Sequence, residues 1–396
     1  MAADREGIPE VKCKMDRIAR ARGEMNMNCK HTERNVSLDL LRVLCMFLIV
    51  LGHALFHGKV LDALPANSAN YFIISILRTV LSVHVNCFVL ISGYFLCMRE
   101  FQLKRAILIW GQAFFWSIGL YIVLYFCGAV DLDLKSLIKA CFPITQQRYW
   151  FITTYVLMYS LVPLLNAAIR AMSQKTHAIF LSGFFAMYIA LQNLVFWEKF
   201  SSTNSYDPLF FAFLYLFAAY FRLYPAKRTH IMYLWGYLLA CLFAAAWKIG
   251  ITWIMLKTMG EVRGDNLFLS YNSITMVIGS ACLFRFFEGL NITDGKLQGA
   301  ILRLSPLTLG IYLIHEQPEV RRFIWQDLLR PMDFVNSPFL VLIVIGMAVA
   351  VFLVCAMIEY LRHKAFEILK IREIVTNLAD KIQNAALTAI EKVFRL

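Results

Sequence analysis

Ten runs of apolar residues, separated by short polar connections, account for most of this chain. They cover roughly 38–57, 71–98, 107–128, 149–169, 178–197, 207–221, 231–256, 267–284, 304–316 and 338–358. A run of about 20 apolar residues crosses a bilayer as a helix. The strand-like alternation of an outer-membrane barrel is not visible. The pattern predicts an all-α integral membrane fold, with about ten transmembrane helices around a central polar cavity. The second and seventh runs are long enough to tilt or to pass the membrane surface. The ninth is short and closely followed by Pro318, and Pro163 predicts a kink in the fourth.

The polar flanks divide the chain into a polar N-terminal extension (1–35), a transmembrane domain (36–360) and a tail (361–396). In the tail Phe366, Ile371, Val375, Leu378, Ile382, Ala386, Ile390 and Val393 recur at helical spacing. Two readings fit that amphipathic helix: it lies on the inner membrane surface, or it is a cytosolic helix packed on its own protein. With the N-terminus inside, 26 of the 39 basic residues fall on the inner side and 10 on outer loops, most of the bias lying in the tails. That asymmetry predicts a multi-pass protein of the cytoplasmic (inner) membrane with both termini cytoplasmic. Some 35 polar residues precede the first apolar run, so no cleavable signal peptide is expected. Asn-x-Ser/Thr triplets at Asn35 and Asn291 fall on predicted cytoplasmic segments and carry no weight.

Composition agrees. The chain is 60% hydrophobic and only 16% charged, against about 45–50% apolar and about 25% charged in ordinary soluble domains. The formal charge of +13 is clustered in tails and loops, which fits anionic lipid headgroups rather than nucleic acid. Most of the ten cysteines lie inside apolar runs without a CxxC pair, and read as small buried hydrophobes.

The first run, LDLLRVLCMFLIVLGHALFHG, carries Asp39, Arg42, His53 and His57. A charge at the bilayer centre costs at least about 2.5–3.5 kcal/mol, so such residues mark a polar interior or a substrate path. Eleven positions return Arg42 and His53 to within about 20° of one helix face, and about 16 Å separates them along the axis. Asp39 can pair with Arg42 at i, i+3. A permanently charged guanidinium at the inner mouth suits a phosphate or carboxylate. A histidine deeper in the seam suits proton transfer. The plainer alternative is a surface ion pair, Asp39–Arg42, with His53 as an interhelical hydrogen-bonder. His57 lies one turn beyond His53, but no HExxH glutamate and no third ligand accompanies the pair, so no metal is expected.

Leu38-Asp39-Leu40-Leu41-Arg42 followed by His53 resembles the membrane acyltransferase-3 family. VNCFVLISGYFL (85–96), RYWFITTYVLMYSLVPLLN (148–166), SYNSITMVIGSACLF (270–284) and SPLTLGIYLIHE (305–316) resemble further elements of that family, in order. They look most like its O-acetyltransferases of surface polysaccharides. The resemblance implies transfer of an acyl group, commonly acetyl from acetyl-CoA, to a glycan or glycolipid hydroxyl. His53 then stands as the catalytic histidine, with Arg42 as its motif partner and Asp39 beside it. In that reading Arg42, with Arg99, Lys104 and Arg105, holds the donor phosphates, and the pantetheine arm follows the seam.

The predicted topology brings His57, Arg78, Arg148, Tyr149, Trp150, Tyr271, Asn272, His315 and Glu316 towards the outer side, where an acceptor would bind. Several have bland alternatives: Trp150 as an interface anchor, Arg78 snorkelling, His315 as a wet helix-end histidine. Ser92-Gly93 reads as close helix packing, and Lys248 as a snorkelling side chain without a role. The rival function is a transporter or flippase for glycan precursors with the seam as proton relay, although no internal repeat supports it.

Overall fold

The structure is a computed structural model that describes residues 34–66, 68–194, 205–225 and 230–394. All but the last two residues of the N-terminal extension therefore lie outside the described residues, as does the end of the fifth apolar run. The principal helices are α1 (Val36–Phe56), α2 (Ala69–Leu81), α3 (His84–Leu96), α4 (Leu103–Phe126), α5 (Leu134–Cys141), α6 (Trp150–Ser160), α7 (Val162–Ala171) and α8 (Gln174–Phe184). They continue as α9 (Pro208–Leu223), α10 (His230–Thr258), α11 (Ile274–Glu288), α12 (Gly295–Leu304), α13 (Thr308–His315), α14 (Leu340–Ile368) and α15 (Ile371–Phe394). Among the described residues no strand occurs.

Six helical stretches are long and apolar enough to cross a membrane: α1, α2–α3, α4, α10, α12–α13 and α14. The pair α6–α7, bent by 50°, would make a seventh. The bend falls just before Pro163, whose missing N–H opens the helical ladder there. Two of the other expected spans do not reach that length. Helix α9 has 16 residues and α11 has 15, roughly 24 and 22 Å against a hydrocarbon core of about 30 Å. The ninth run is longer than its apolar part suggests, because the 3₁₀ turn Ser305–Leu307 joins α12 to α13 in a span of 21 residues.

Helix α1 is the inner one. It packs against α2, α3, α11, α12, α13 and α14, and Leu38, Leu41, Cys45, Val50 and Ala54 are fully buried. Helices α4, α10 and α14 instead expose apolar rows, including Ile122 and Phe126, Leu239 and Leu242, and Leu353 and Met357. Exposed apolar rows on such helices are the surface a bilayer solvates, as expected of a multi-pass membrane protein. Where α3 meets α9, a Cβ at Gly93 would stand 2.8 Å from the Tyr215 Cα, so only glycine allows that approach.

Helix ends are capped by their own sequence: Ser68, Ser273 and Gln317 accept from backbone N–H groups of the first turn that follows each. Between α2 and α3 the backbone is irregular at Ser82, whose hydroxyl donates back to the Arg78 carbonyl at 2.8 Å. Helix α15 packs on the start of α4, where the Leu103 N–H donates to Gln383 Oε1 (2.9 Å) and Lys104 faces Asp380 (3.4 Å). Ile374, Leu378, Ile382, Leu387, Ile390 and Val393 of α15 remain exposed.

Candidate active site

Arg42, Met46, Ile49 and His53 follow one another along a single face of α1, and that face lines a cavity of about 990 Å³. The cavity therefore runs the length of the seam, about 16 Å along the helix. Its wall is mixed, with apolar residues such as Leu55, Phe88 and Phe151 between isolated polar groups. That mixture characterises a ligand site.

At one end, Arg42 Nη1 donates to Asp39 Oδ1 (2.5 Å) and to the Ser305 hydroxyl (2.9 Å), and Ser305 in turn donates to Asp39 Oδ1 (2.6 Å). Asp39, in the first turn of α1, also meets the positive end of the helix dipole. The 3₁₀ turn between α12 and α13 delivers Ser305. The triangle fixes the guanidinium while leaving it on the cavity wall.

At the other end, α13 stops before Pro318, which cannot continue a helix. The stop leaves His315 and Glu316 together, both buried and both against α1. His315 Nδ1 lies 2.6 Å from the Ile311 carbonyl, and His315 Nε2 lies 3.0 Å from His53 Nδ1. A carbonyl only accepts, so His315 Nδ1 carries the hydrogen. In a neutral imidazole its Nε2 is then an acceptor, and His53 Nδ1 must be the donor. The chain carbonyl–His315–His53 thus leaves the lone pair of His53 on Nε2.

Glu316 completes the group. Its Oε1 accepts from Arg321 (2.7 Å), while Oε2 lies 3.1 Å from His53 Nδ1 and 3.3 Å from His57 Nε2. Oε2 makes no aligned hydrogen bond, so a buried carboxylate oxygen faces two imidazoles with spare accepting capacity. The ligand atoms of His53, His57 and Glu316 lie within 4.8 Å of one another, a set that could hold a metal ion. The sequence offered no third ligand; folding brings Glu316 to the pair. His53 Nδ1 already faces His315, however, so an ion there would have to displace that hydrogen bond.

A wall of aromatic rings adjoins this end. Trp150, the first residue of α6, stacks on Tyr271 at 6.0 Å and 16°, and Tyr206 meets the Trp150 ring edge-on at 4.4 Å. All three line the cavity, as do His57, Arg78 and Glu316.

Other expected site residues fall elsewhere. Tyr149 is fully buried, with its hydroxyl donating to the Leu313 carbonyl at 3.1 Å, and Arg148 is buried against Glu319. Asn272 is buried and accepts from Ser205 at 2.7 Å. His315 stands behind His53 rather than on the cavity surface. Arg99, Lys104 and Arg105 are not on the cavity wall, and Lys104 faces Asp380 of α15. Lys248 does not snorkel: it is buried and bonds Asp265 at 2.5 Å.

Sequence reasoning missed Ser305 and Arg321 as partners of Arg42 and Glu316. Each lies in or beside the SPLTLGIYLIHE segment, the signal that could have pointed to them.

Comparison with family models matches residues 35–359 to one described as an acyltransferase domain, of the acyltransferase-3 type. No curated protein and no solved structure matches the chain.

Proposed function

Since the chain belongs to the acyltransferase-3 family, by a domain covering residues 35–359, and is a membrane acyltransferase, we propose that it moves an acetyl or other short acyl group from acyl-CoA to a hydroxyl of a cell-surface or exported glycan. The observation that carries this reading is the continuous cavity with a fixed guanidinium at one end and a histidine of assigned tautomer at the other. An extended donor suits that separation. Its phosphates meet Arg42 on the cytoplasmic side, and the pantetheine arm runs past Met46 and Ile49 to bring the thioester to His53.

His53 Nε2 then takes the proton of the acceptor hydroxyl as its oxygen attacks the thioester carbonyl. The imidazolium so formed lies 3.1 Å from the Glu316 carboxylate, which stabilises it as charge develops. Collapse of the tetrahedral intermediate breaks the carbon–sulfur bond, and the departing thiolate recovers the proton from His53. Trp150 and Tyr271 offer flat faces on which a sugar ring can rest. The cycle returns His53 to its neutral form and leaves the charge of the cavity unchanged.

The test uses membrane vesicles holding wild-type protein or His53→Ala at equal abundance, supplied with acetyl-CoA labelled in the acetyl group. Label should enter surface glycan with wild type and fall to background in the variant. Full transfer by His53→Ala would end the catalytic assignment. Movement of glycan across the membrane without any labelling would favour a transporter.

A further inference from the structure

We infer that the acceptor is anionic, and that Arg78 holds a carboxylate or phosphate group of it on the cavity wall. The identity of the bound molecule as the acceptor rests on the acyltransferase reading above; the anion site itself does not.

Arg148, Arg285, Arg362 and Lys248 are buried or nearly so, and each has a carboxylate within ion-pair distance: Glu319, Glu288, Glu359 and Asp265. On the cavity wall Arg42 has Asp39 and Arg321 has Glu316. Arg78, half-buried on α2, lines the same cavity. Among the described residues its guanidinium has no hydrogen bond or ion pair. The Asp265 carboxylate is bound instead to Lys248 at 2.5 Å.

A charge drawn out of bulk water without a partner is costly. The fold answers that cost with a carboxylate at these six cations, and Arg78 on the cavity wall has no such partner. The guanidinium fork matches the two oxygens of a carboxylate or phosphate. Ser82, Asn266 and Ser270 also line the cavity. Glycans carry such groups in two ways, as acidic sugars or as the phosphates of a lipid-linked precursor. The shared chemistry is an oxyanion.

Equilibrium binding to the full chain in lipid nanodiscs tests this directly. The probes are a neutral oligosaccharide, the same oligosaccharide with one glucuronate, and a polyprenyl-diphosphate-linked sugar. Wild type should favour one of the anionic probes over the neutral one by about ten- to a hundredfold, the range of a charged hydrogen bond. Arg78→Gln should erase the preference, and Arg78→Lys should retain part of it. Equal wild-type affinity for all three probes overturns the inference, as does a preference that survives Arg78→Gln. The probe preferred tells acidic sugar from carrier phosphate. Labelled acetyl-CoA added to the same samples separates the two claims. Arg78-dependent binding without transfer sinks the acyltransferase reading alone, and transfer to neutral and anionic acceptors alike sinks the anion site alone.

Discussion

Replacing Glu316 by Gln removes a charge while keeping the shape of the side chain, and so isolates what the carboxylate does for His53. Its Oε2 lies 3.1 Å from His53 Nδ1. At an effective dielectric of about 20, a full unit charge at that separation is stabilised by about 5 kcal/mol. With the proton half-transferred in the transition state, roughly half of that applies, about 2.7 kcal/mol, or about a hundredfold in rate. Arg321, bonded to the other oxygen, stands beside His53 in wild type and variant alike, so its repulsion of the imidazolium cancels in the comparison. The assay is initial-rate acetyl transfer in nanodiscs, varying acyl-CoA at saturating acceptor. Glu316→Gln should lower kcat about a hundredfold and leave the KM for acyl-CoA close to wild type, because the interaction forms only as charge develops. A kcat within threefold of wild type would refute the role of the carboxylate. A rise in KM alone would make it a binding group.

Other consequences follow from packing and pairing. A Cβ at Gly310 would lie 2.0 Å from the Glu359 Cδ, and Glu359 is held by Gln112, Trp116 and Arg362. Gly310→Ala should therefore lower stability by about 1–3 kcal/mol, seen as a reduced Tm in detergent; an unchanged Tm would contradict the tight fit. Lys248→Met leaves the half-buried Asp265 without its ammonium and should cost about 1–3 kcal/mol, with much of the loss recovered when Asp265→Asn is added, whereas additive losses would show that the two do not act as a pair. Because His53 Nδ1 is engaged with His315, acetyl transfer should survive a zinc chelator; loss of activity restored by added zinc would place an ion among His53, His57 and Glu316.

The seam on α1 was legible in the sequence because helical periodicity needs no tertiary information. Arg42 and His53 eleven residues apart share a face in any regular helix, and that face lines the cavity. The sequence expectation placed His57, Arg78, Trp150, Tyr271 and Glu316 on one side, and all five line the cavity. Their division of labour was not legible. That His315 stands behind His53 while Glu316 faces both imidazoles depends on how the chain turns before Pro318, a matter of a single helical turn. Loop charges were harder still. Lys104 faces Asp380 across the fold, and no local pattern records a partner 276 positions away. Among the described residues six or seven of the ten expected spans reach full length, and one reason for the shortfall is that hydrophobicity continues past the end of a helix. In the run at 267–284 regular helix begins only at Ile274, after the Ser273 cap. Arg78 shows the opposite limit, since the sequence locates the residue but only the fold reveals that Lys248 holds the Asp265 carboxylate.

The central claim is that one cavity holds donor and base together, with the phosphates at Arg42 and the acyl carbon at His53. An experimental structure with a non-transferable thioether analogue of acetyl-CoA tests it most directly. The account predicts the phosphates at the Arg42–Ser305 end, the arm along Met46 and Ile49, and the acyl group beside His53 Nε2. An analogue bound outside this cavity, or lying within it with the acyl group at the Arg42 end, would contradict the account.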